Sequence, residues 1–449
     1  MEKDQVIKAE EGSRQVIGRH MLTDGLNMVA DLQRSQGSRI YDVQSGEYYL
    51  DLFSCFATMP LGFSHPRLCS PEARDELAAA ALQKPTCSDL YTRELAAFVD
   101  TYARVGARGL FRYMFFIEGG ALAVENALKT AFDWKVRKNL AAGKEPKGGQ
   151  VIYFKDAFHG RSGYTLSMTN TADPRKTQYF PKFDWPRVSN PMCRFPLTGD
   201  NLEQTIAAER KSIAEIEQAL EERADDIACL IIEPIQSEGG DRHFRSEFHQ
   251  QLRKLCDENE ILFIYDEVQT GWGGTGKFWA AEHFVLPDII CFGKKSQVCG
   301  ILVGDRVDEV PDNVFHVASR INSTWGGNLV DMVRARLYLE IFESDRILER
   351  TTRLGSWLLA ELTDIQEEFP GLISNVRGLG LMCAFDLPDR EARRKFIAQL
   401  FENRIIMLGC GDRSVRFRTA LTIKQDDLKE GLTAIRNILS RLGSEYPVA

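Results

Sequence analysis

Three short segments carry residue types that could do chemistry together. The first is Phe116-Ile117-Glu118-Gly119-Gly120-Ala121, an apolar strand end that runs through two glycines into a helix. Glycines let backbone amides approach a ligand, and a helix N-terminus offers unpaired N–H groups at the positive end of its dipole, which suits a phosphate. The same pattern also reads as a tight turn with glycine for geometry alone. The second is the apolar strand Phe263-Ile264-Tyr265, which ends in Asp266 and Glu267 and continues Val268-Gln269-Thr270-Gly271. In an open α/β sheet, ligands bind beyond the carboxyl ends of strands. Asp266 could pair there with a protonated pyridine-type nitrogen and hold a heteroaromatic ring cationic, as an electron sink. Helix capping and Mg²⁺ ligation are equally open to it. The third is Cys291-Phe292-Gly293-Lys294-Lys295, two lysines directly after an apolar strand. A partly desolvated lysine can have its pKa lowered enough to attack a carbonyl and form an imine. A solvated surface pair is the alternative, and the position after Asp266 favours the imine.

The elements that must position these residues are short apolar runs at 113–117, 151–154, 227–233, 261–266, 288–292 and 301–304. Most read as strands buried on both faces, as in a parallel sheet. Helical segments lie between many of them, including 121–138 and 246–258, and this alternation predicts a three-layer α/β domain with a mostly parallel sheet. From about Asp331 the pattern turns helical, over 332–343 and 347–369, before strand candidates at 379–387 and 414–418. The expected organisation is a large domain over 66–330 and a smaller α/β domain over 331–449, joined by the N-terminal segment 1–65 that contains the stretch 39–52.

Bulk properties exclude several classes. With 449 residues, two or three domains are expected. The net charge of -8 gives no attraction to nucleic acid or to an anionic membrane. The segment 1–14 lacks the apolar core of a signal peptide and no apolar run approaches bilayer-spanning length, so a cytoplasmic protein is expected. The 10 cysteines are scattered singly without a CxxC pair, which predicts buried free thiols and no metal site. There are no repeats and no low-complexity tracts.

The three segments, in this order, resemble the fold type I, class III aminotransferase family. The resemblance runs from about Arg39 to Leu421, with its stronger stretches at "EGGALAVENALKTAFDWK", "FHGRSGYTLSMTNT", "PKFDWPR", "IIEPIQSEGG", "DEVQTG", "FGKKSQVCG", "NSTWGGNLVDMVRAR" and "VRFRTALT". Within the family, "EGGALAVENALK", "FGKKSQVCG" and "NSTWGGN" look most similar to the lysine ε-aminotransferase branch, while "FHGR", "FDWP" and "DEVQTG" are shared with 4-aminobutyrate aminotransferases.

The resemblance implies pyridoxal 5′-phosphate as cofactor, with Lys294 as the imine-forming lysine, Asp266 on the pyridinium nitrogen, Gln269 at the phenolic oxygen and Phe158 on the ring face. His159 would stand near the ring as a packed, hydrogen-bonded histidine. Gly120 and Ala121 would bind the phosphate, with Ser323 and Thr324 reaching it from a second subunit, which implies a homodimer with shared active sites. The family often has a Gly-rich stretch after the lysine, where Ser296-Gln297-Val298-Cys299-Gly300 stands here; the Gly-Lys step favours Lys294 over Lys295. Arg416 would grip the carboxylate beside the reacting carbon of 2-oxoglutarate, and Glu238 would mask it when an amine donor without that carboxylate binds. Arg161 would hold the far carboxylate of L-lysine, and Phe56 and Asn322 are further candidates for substrate contact. A structural ion pair and a packed core aromatic are the other readings of Arg416–Glu238 and Phe56. The implied reaction moves the ε-amino group of L-lysine to 2-oxoglutarate. Ornithine or 4-aminobutyrate as donor, and a silent binding module on the same fold, are the competing expectations.

Overall fold

The computed structural model describes residues 12–443. Its central sheet has seven strands in the spatial order Tyr113–Ile117, Cys299–Val303, Ile289–Phe292, Leu262–Asp266, Ile227–Ile232, Gln150–Phe154 and Arg187–Val188. The middle strands are buried along their whole length because both sheet faces are covered, which is why their sequences show no polar alternation. Successive side chains still part to opposite faces. Val151, Ile231, Ile264 and Ile301 pack with Val124, Leu128 and Trp134 of the helix Gly120–Ala141. Ile152, Leu230, Phe263 and Leu302 join a second core with Phe248 and Leu252 of the helix Ser246–Glu258. The result is helix, sheet and helix in three layers, the α/β class read from the alternation of elements.

Two of the sheet's six pairings are antiparallel: Cys299–Val303 runs opposite to both Tyr113–Ile117 and Ile289–Phe292, while the other four strand pairs are parallel. The apolar run at 301–304 reads like its parallel neighbours, but its connection fixes the direction. The segment 293–298 is far too short for a parallel crossover, which needs a dozen residues or more, so the chain must turn straight back. That turn carries both lysines.

After the helices Leu329–Ser344 and Ile347–Glu368, the strands Ser374–Leu379, Met382–Asp386, Ser414–Arg416 and Leu408–Cys410 form an antiparallel sheet. The two-residue turn Gly380-Leu381 delays the strand expected from residue 379. Near the N-terminus, Glu47–Asp51 pairs antiparallel with Arg39–Asp42 and parallel with Ile405–Ile406, so segments from both ends of the chain share one sheet. Among the described residues no helix is long and apolar enough to cross a membrane. All 10 cysteines are free.

Candidate active site

The carboxyl ends of Leu262–Asp266 and Ile289–Phe292, the start of Gly120–Ala141 and the loop 157–161 meet around a cavity of about 850 Å³. Lys294, Asp266, Gln269, Gly120, Ala121, Phe158 and His159 all line it. Asp266 sits at its strand end, 4% exposed, with one carboxylate oxygen 2.8 Å from His159 Nδ1 and the other accepting the Val268 N–H at 3.1 Å. His159 therefore braces the acid from within the protein. The loop carrying it is pinned in turn: Thr169 Oγ1 accepts from the His159 and Gly160 N–H groups at 3.0 and 3.2 Å. Gly160 (φ +130°) is pressed so close that a Cβ there would lie 2.5 Å from Ala121 Cβ, which brings the loop onto the helix start. A Cβ on Gly120 would lie 3.0 Å from Val268 Cγ1, at the cavity wall.

The two adjacent lysines point to different places. Lys294 lines the cavity and donates to Gln269 Oε1. Burial first, and then the nearby Arg416 and Arg418, lower its pKa to about 8. Its backbone is left-handed (φ +55°), a conformation that costs on the order of 1–3 kcal/mol for a residue with a Cβ. Gln297 helps to hold it there, donating from Nε2 to Thr58 O at 2.8 Å. Lys295 is buried away from the cavity and donates to the backbone carbonyl of Gln269. An amine that meets the cavity as a nucleophile is thus Lys294 on geometry.

Charged groups line the opposite wall. Arg416, 3% exposed, donates from Nη2 to Glu238 Oε2 at 2.9 Å, while its Nε and Nη1 are buried without a partner. Glu238 also accepts from Lys176 Nζ at 2.7 Å. Burial pushes the Glu238 carboxyl up, but Arg416 and Lys176 together outweigh it and hold the group below its usual range, as a carboxylate. Arg161 lines the cavity, is exposed, and among the described residues pairs with no carboxylate. Phe56 lines the mouth, 50% exposed and edge-on to Phe53 at 4.8 Å.

Asn322, Ser323 and Thr324 do not join this cavity. Asn322 and Thr324 are exposed, and their loop is tied elsewhere in the chain, with Ser88 Oγ donating to Ser323 O and Cys87 N–H to Trp325 O at 3.0 Å. Conversely, the cavity includes groups that the spacing of residues does not announce. Lys176 is one. Another is the turn Ser54–Ala57, whose four residues all have left-handed φ between +40° and +66° and which places Cys55 and Phe56 on the wall. At roughly 1–2 kcal/mol per residue such a turn needs external support. Asp51 supplies it, accepting the Phe53 and Ser54 N–H groups at 2.9 and 2.7 Å. Glu233 is buried beside Asp266 and accepts from the Phe158 and Ser237 N–H groups; burial raises its pKa to about 7.

Known proteins carry the same arrangement of sequence. The family model described as aminotransferase class-III matches residues 21–439. The L-lysine-epsilon aminotransferase of Mycobacterium tuberculosis is 50% identical over 428 residues, which cover 95% of this chain and 94% of that protein. That of Amycolatopsis lactamdurans is 47% identical over 433 residues, 96% of each. The solved structure of lysine aminotransferase from M. tuberculosis in the internal aldimine form matches with a TM-score of 0.94 at 50% identity, covering 96% of this chain and 99% of that one. With a family match that spans nearly its whole length, the chain belongs to the class III aminotransferases, fold type I enzymes that depend on pyridoxal 5′-phosphate.

Proposed function

We propose that the enzyme is an L-lysine 6-transaminase, which moves the ε-amino group of L-lysine to 2-oxoglutarate and yields 2-aminoadipate 6-semialdehyde and glutamate in alternating, ping-pong halves. The observation that carries this reading is the Glu238–Arg416 pair. The ε-end of lysine brings no carboxylate to the reacting carbon, whereas 2-oxoglutarate does. An arginine with two unpartnered N–H positions, covered by a carboxylate on its remaining side, serves both. The identity of 47–50% with L-lysine-epsilon aminotransferases over nearly the whole chain supports the choice of donor.

When bound, pyridoxal 5′-phosphate supplies an aldehyde that condenses with amines and a protonated ring that takes up the electrons left as a carbon loses its proton. The residues of the cavity fit it. Asp266, braced by His159, is a buried carboxylate for the ring nitrogen, and the buried, unpartnered Nε2 of Gln269 is a donor left over for the phenolic oxygen. Phe158 would flank the ring, and the amides of Gly120 and Ala121 at the helix start would receive the phosphate.

Lys294 does the proton work. With a pKa near 8, its amine is partly neutral at physiological pH, so it takes the proton from the ε-carbon of lysine and hands it on within the first half, and in the second half it delivers a proton to the α-carbon of the forming glutamate. Arg161, free at the mouth, grips the α-carboxylate of lysine. In the second half Glu238 leaves Arg416, whose guanidinium then binds the 1-carboxylate of 2-oxoglutarate. Phe56 narrows the entrance. Ser323, Thr324 and Asn322, on a loop outside their own cavity, act in the cavity of a second copy, making the enzyme a homodimer. Ten free cysteines suit a reducing compartment, the cytoplasm.

The test is product identification by mass spectrometry. The cofactor-loaded chain, given L-lysine and 2-oxoglutarate, should form 2-aminoadipate 6-semialdehyde and glutamate in equal amounts. A higher kcat/KM for 4-aminobutyrate or ornithine, or amine loss from the α-carbon of lysine, would overturn the reading. Absence of turnover with every amine would favour a silent module.

A further inference from the structure

Glu238 rests on two cations, one on each carboxylate oxygen. Oε2 accepts from Arg416 Nη2 at 2.9 Å and Oε1 from Lys176 Nζ at 2.7 Å. The cations differ in kind. Arg416 ends a strand with its side chain 3% exposed, whereas the Lys176 side chain is 24% exposed and ends the single turn Pro174–Lys176. That turn is capped by Asp173, whose Oδ1 accepts the Arg175 N–H at 3.1 Å, and it sets the Lys176 ammonium over the Phe158 ring at 5.7 Å. Lys176 thus stands at the solvent side of Glu238, opposite Arg416.

We propose that Lys176 is the second docking point of Glu238: when an incoming carboxylate takes Arg416, Glu238 moves off while staying paired with Lys176. This rests on the reading of Glu238 as the removable cover of Arg416. A part-buried carboxylate that loses its only cation is strongly disfavoured, so without Lys176 the cover would stay on Arg416 and compete with the keto acid. With Lys176 present, the cover exchanges one of two partners. Arg416 Nε and Nη1, unpartnered, can receive the new carboxylate before Glu238 has left. Lys176 is therefore a positioning residue that acts through Glu238, and it sets how readily the cavity changes from amine donor to keto acid.

Glutarate, a dicarboxylate that cannot accept an amine, reads the Arg416 side without turnover. Titrated calorimetrically into the cofactor-loaded enzyme, it should bind at least fivefold more weakly to Lys176→Met than to the parent, with Lys176→Arg restoring most of the loss. In stopped-flow half-reactions the loss with 2-oxoglutarate should exceed the loss with L-lysine at least threefold. Glu238→Ala should bind glutarate more tightly than the parent, and adding Lys176→Met to it should change binding less than twofold. Parent-like glutarate binding by Lys176→Met overturns the proposal. So does an equal weakening in the Glu238→Ala background, which would make Lys176 a direct carboxylate grip. If Glu238→Ala itself leaves glutarate binding unchanged, the cover reading fails and takes this proposal with it.

Discussion

The charges that line the cavity and the charges sealed behind it are built from the same residue types, often from near neighbours in the chain. Lys294 faces the cavity and Lys295 is closed over by the Gln269 carbonyl. Arg416 carries one partly exposed partner and two unpartnered positions, while Arg418, two residues on, leaves only Nε unpartnered and holds Asp241 with both side chains almost fully buried, at 1% and 2% exposed. Arg418 also donates from Nη1 to Phe417 O at 2.7 Å, and its own carbonyl accepts the Ser54 hydroxyl at 2.5 Å. A cation becomes functional here by what its surroundings leave unsatisfied. Its residue type does not decide the matter.

Substituting each lysine gives the largest expected contrast. Lys294→Ala should lose turnover on the order of 10⁴-fold, since it removes the group that moves the proton. Lys295→Met should lower turnover by less than about tenfold and instead cost roughly 1–3 kcal/mol of stability, the cost of leaving the Gln269 carbonyl without its donor. Steady-state kinetics and denaturant unfolding of the same two variants separate the effects. If Lys295→Met were the variant that lost the cofactor's visible absorbance, the comparison would invert.

The arginines should part in stability rather than rate. Asp241→Asn leaves Arg418 charged and buried without its counter-ion and should cost about 3–5 kcal/mol. Glu238→Gln changes a carboxylate whose side chain is 30% exposed and which Lys176 already shares, so it should cost less than Asp241→Asn. Unfolding midpoints in urea would show the difference directly. Equal costs would mean that the Arg416 pair is structural, like its neighbour.

The sequence shows the cavity floor more clearly than its walls. Asp266, Lys294 and Gly120 stand at the ends of continuous apolar runs, and a buried strand end is a local signal. The pairs that give these residues their roles are long-range. His159 lies 107 residues before Asp266, Lys176 is 62 before Glu238, and Asp241 is 177 before Arg418. No spacing rule reaches across such distances. The left-handed turn Ser54–Ala57 escapes for another reason, as it contains no glycine and depends on Asp51 beneath it. The direction of Cys299–Val303 was readable from the shortness of the preceding turn, but its apolar composition matches that of the parallel strands beside it.

The smallest effect sharpens the comparison most finely, because the lining and the sealed layer both act on Lys294. Its pKa of about 8 comes from burial first, then from Arg416 and then from Arg418. Only the neutral amine attacks an aldehyde, so the neutral fraction should rise from about a tenth at pH 7 to about nine-tenths at pH 9. The rate at which the cofactor-free chain captures pyridoxal phosphate, followed by visible absorbance, should therefore rise about tenfold over that range and level off above it. A lysine at the ordinary value would keep gaining up to pH 10 and beyond. Arg416→Met removes the larger of the two cationic contributions and should move the midpoint upward, leaving burial and Arg418 to hold it below the usual lysine range. A midpoint that stays put in Arg416→Met would mean that the charge on the cavity wall does not reach Lys294 at all, and that burial and Arg418 tune it.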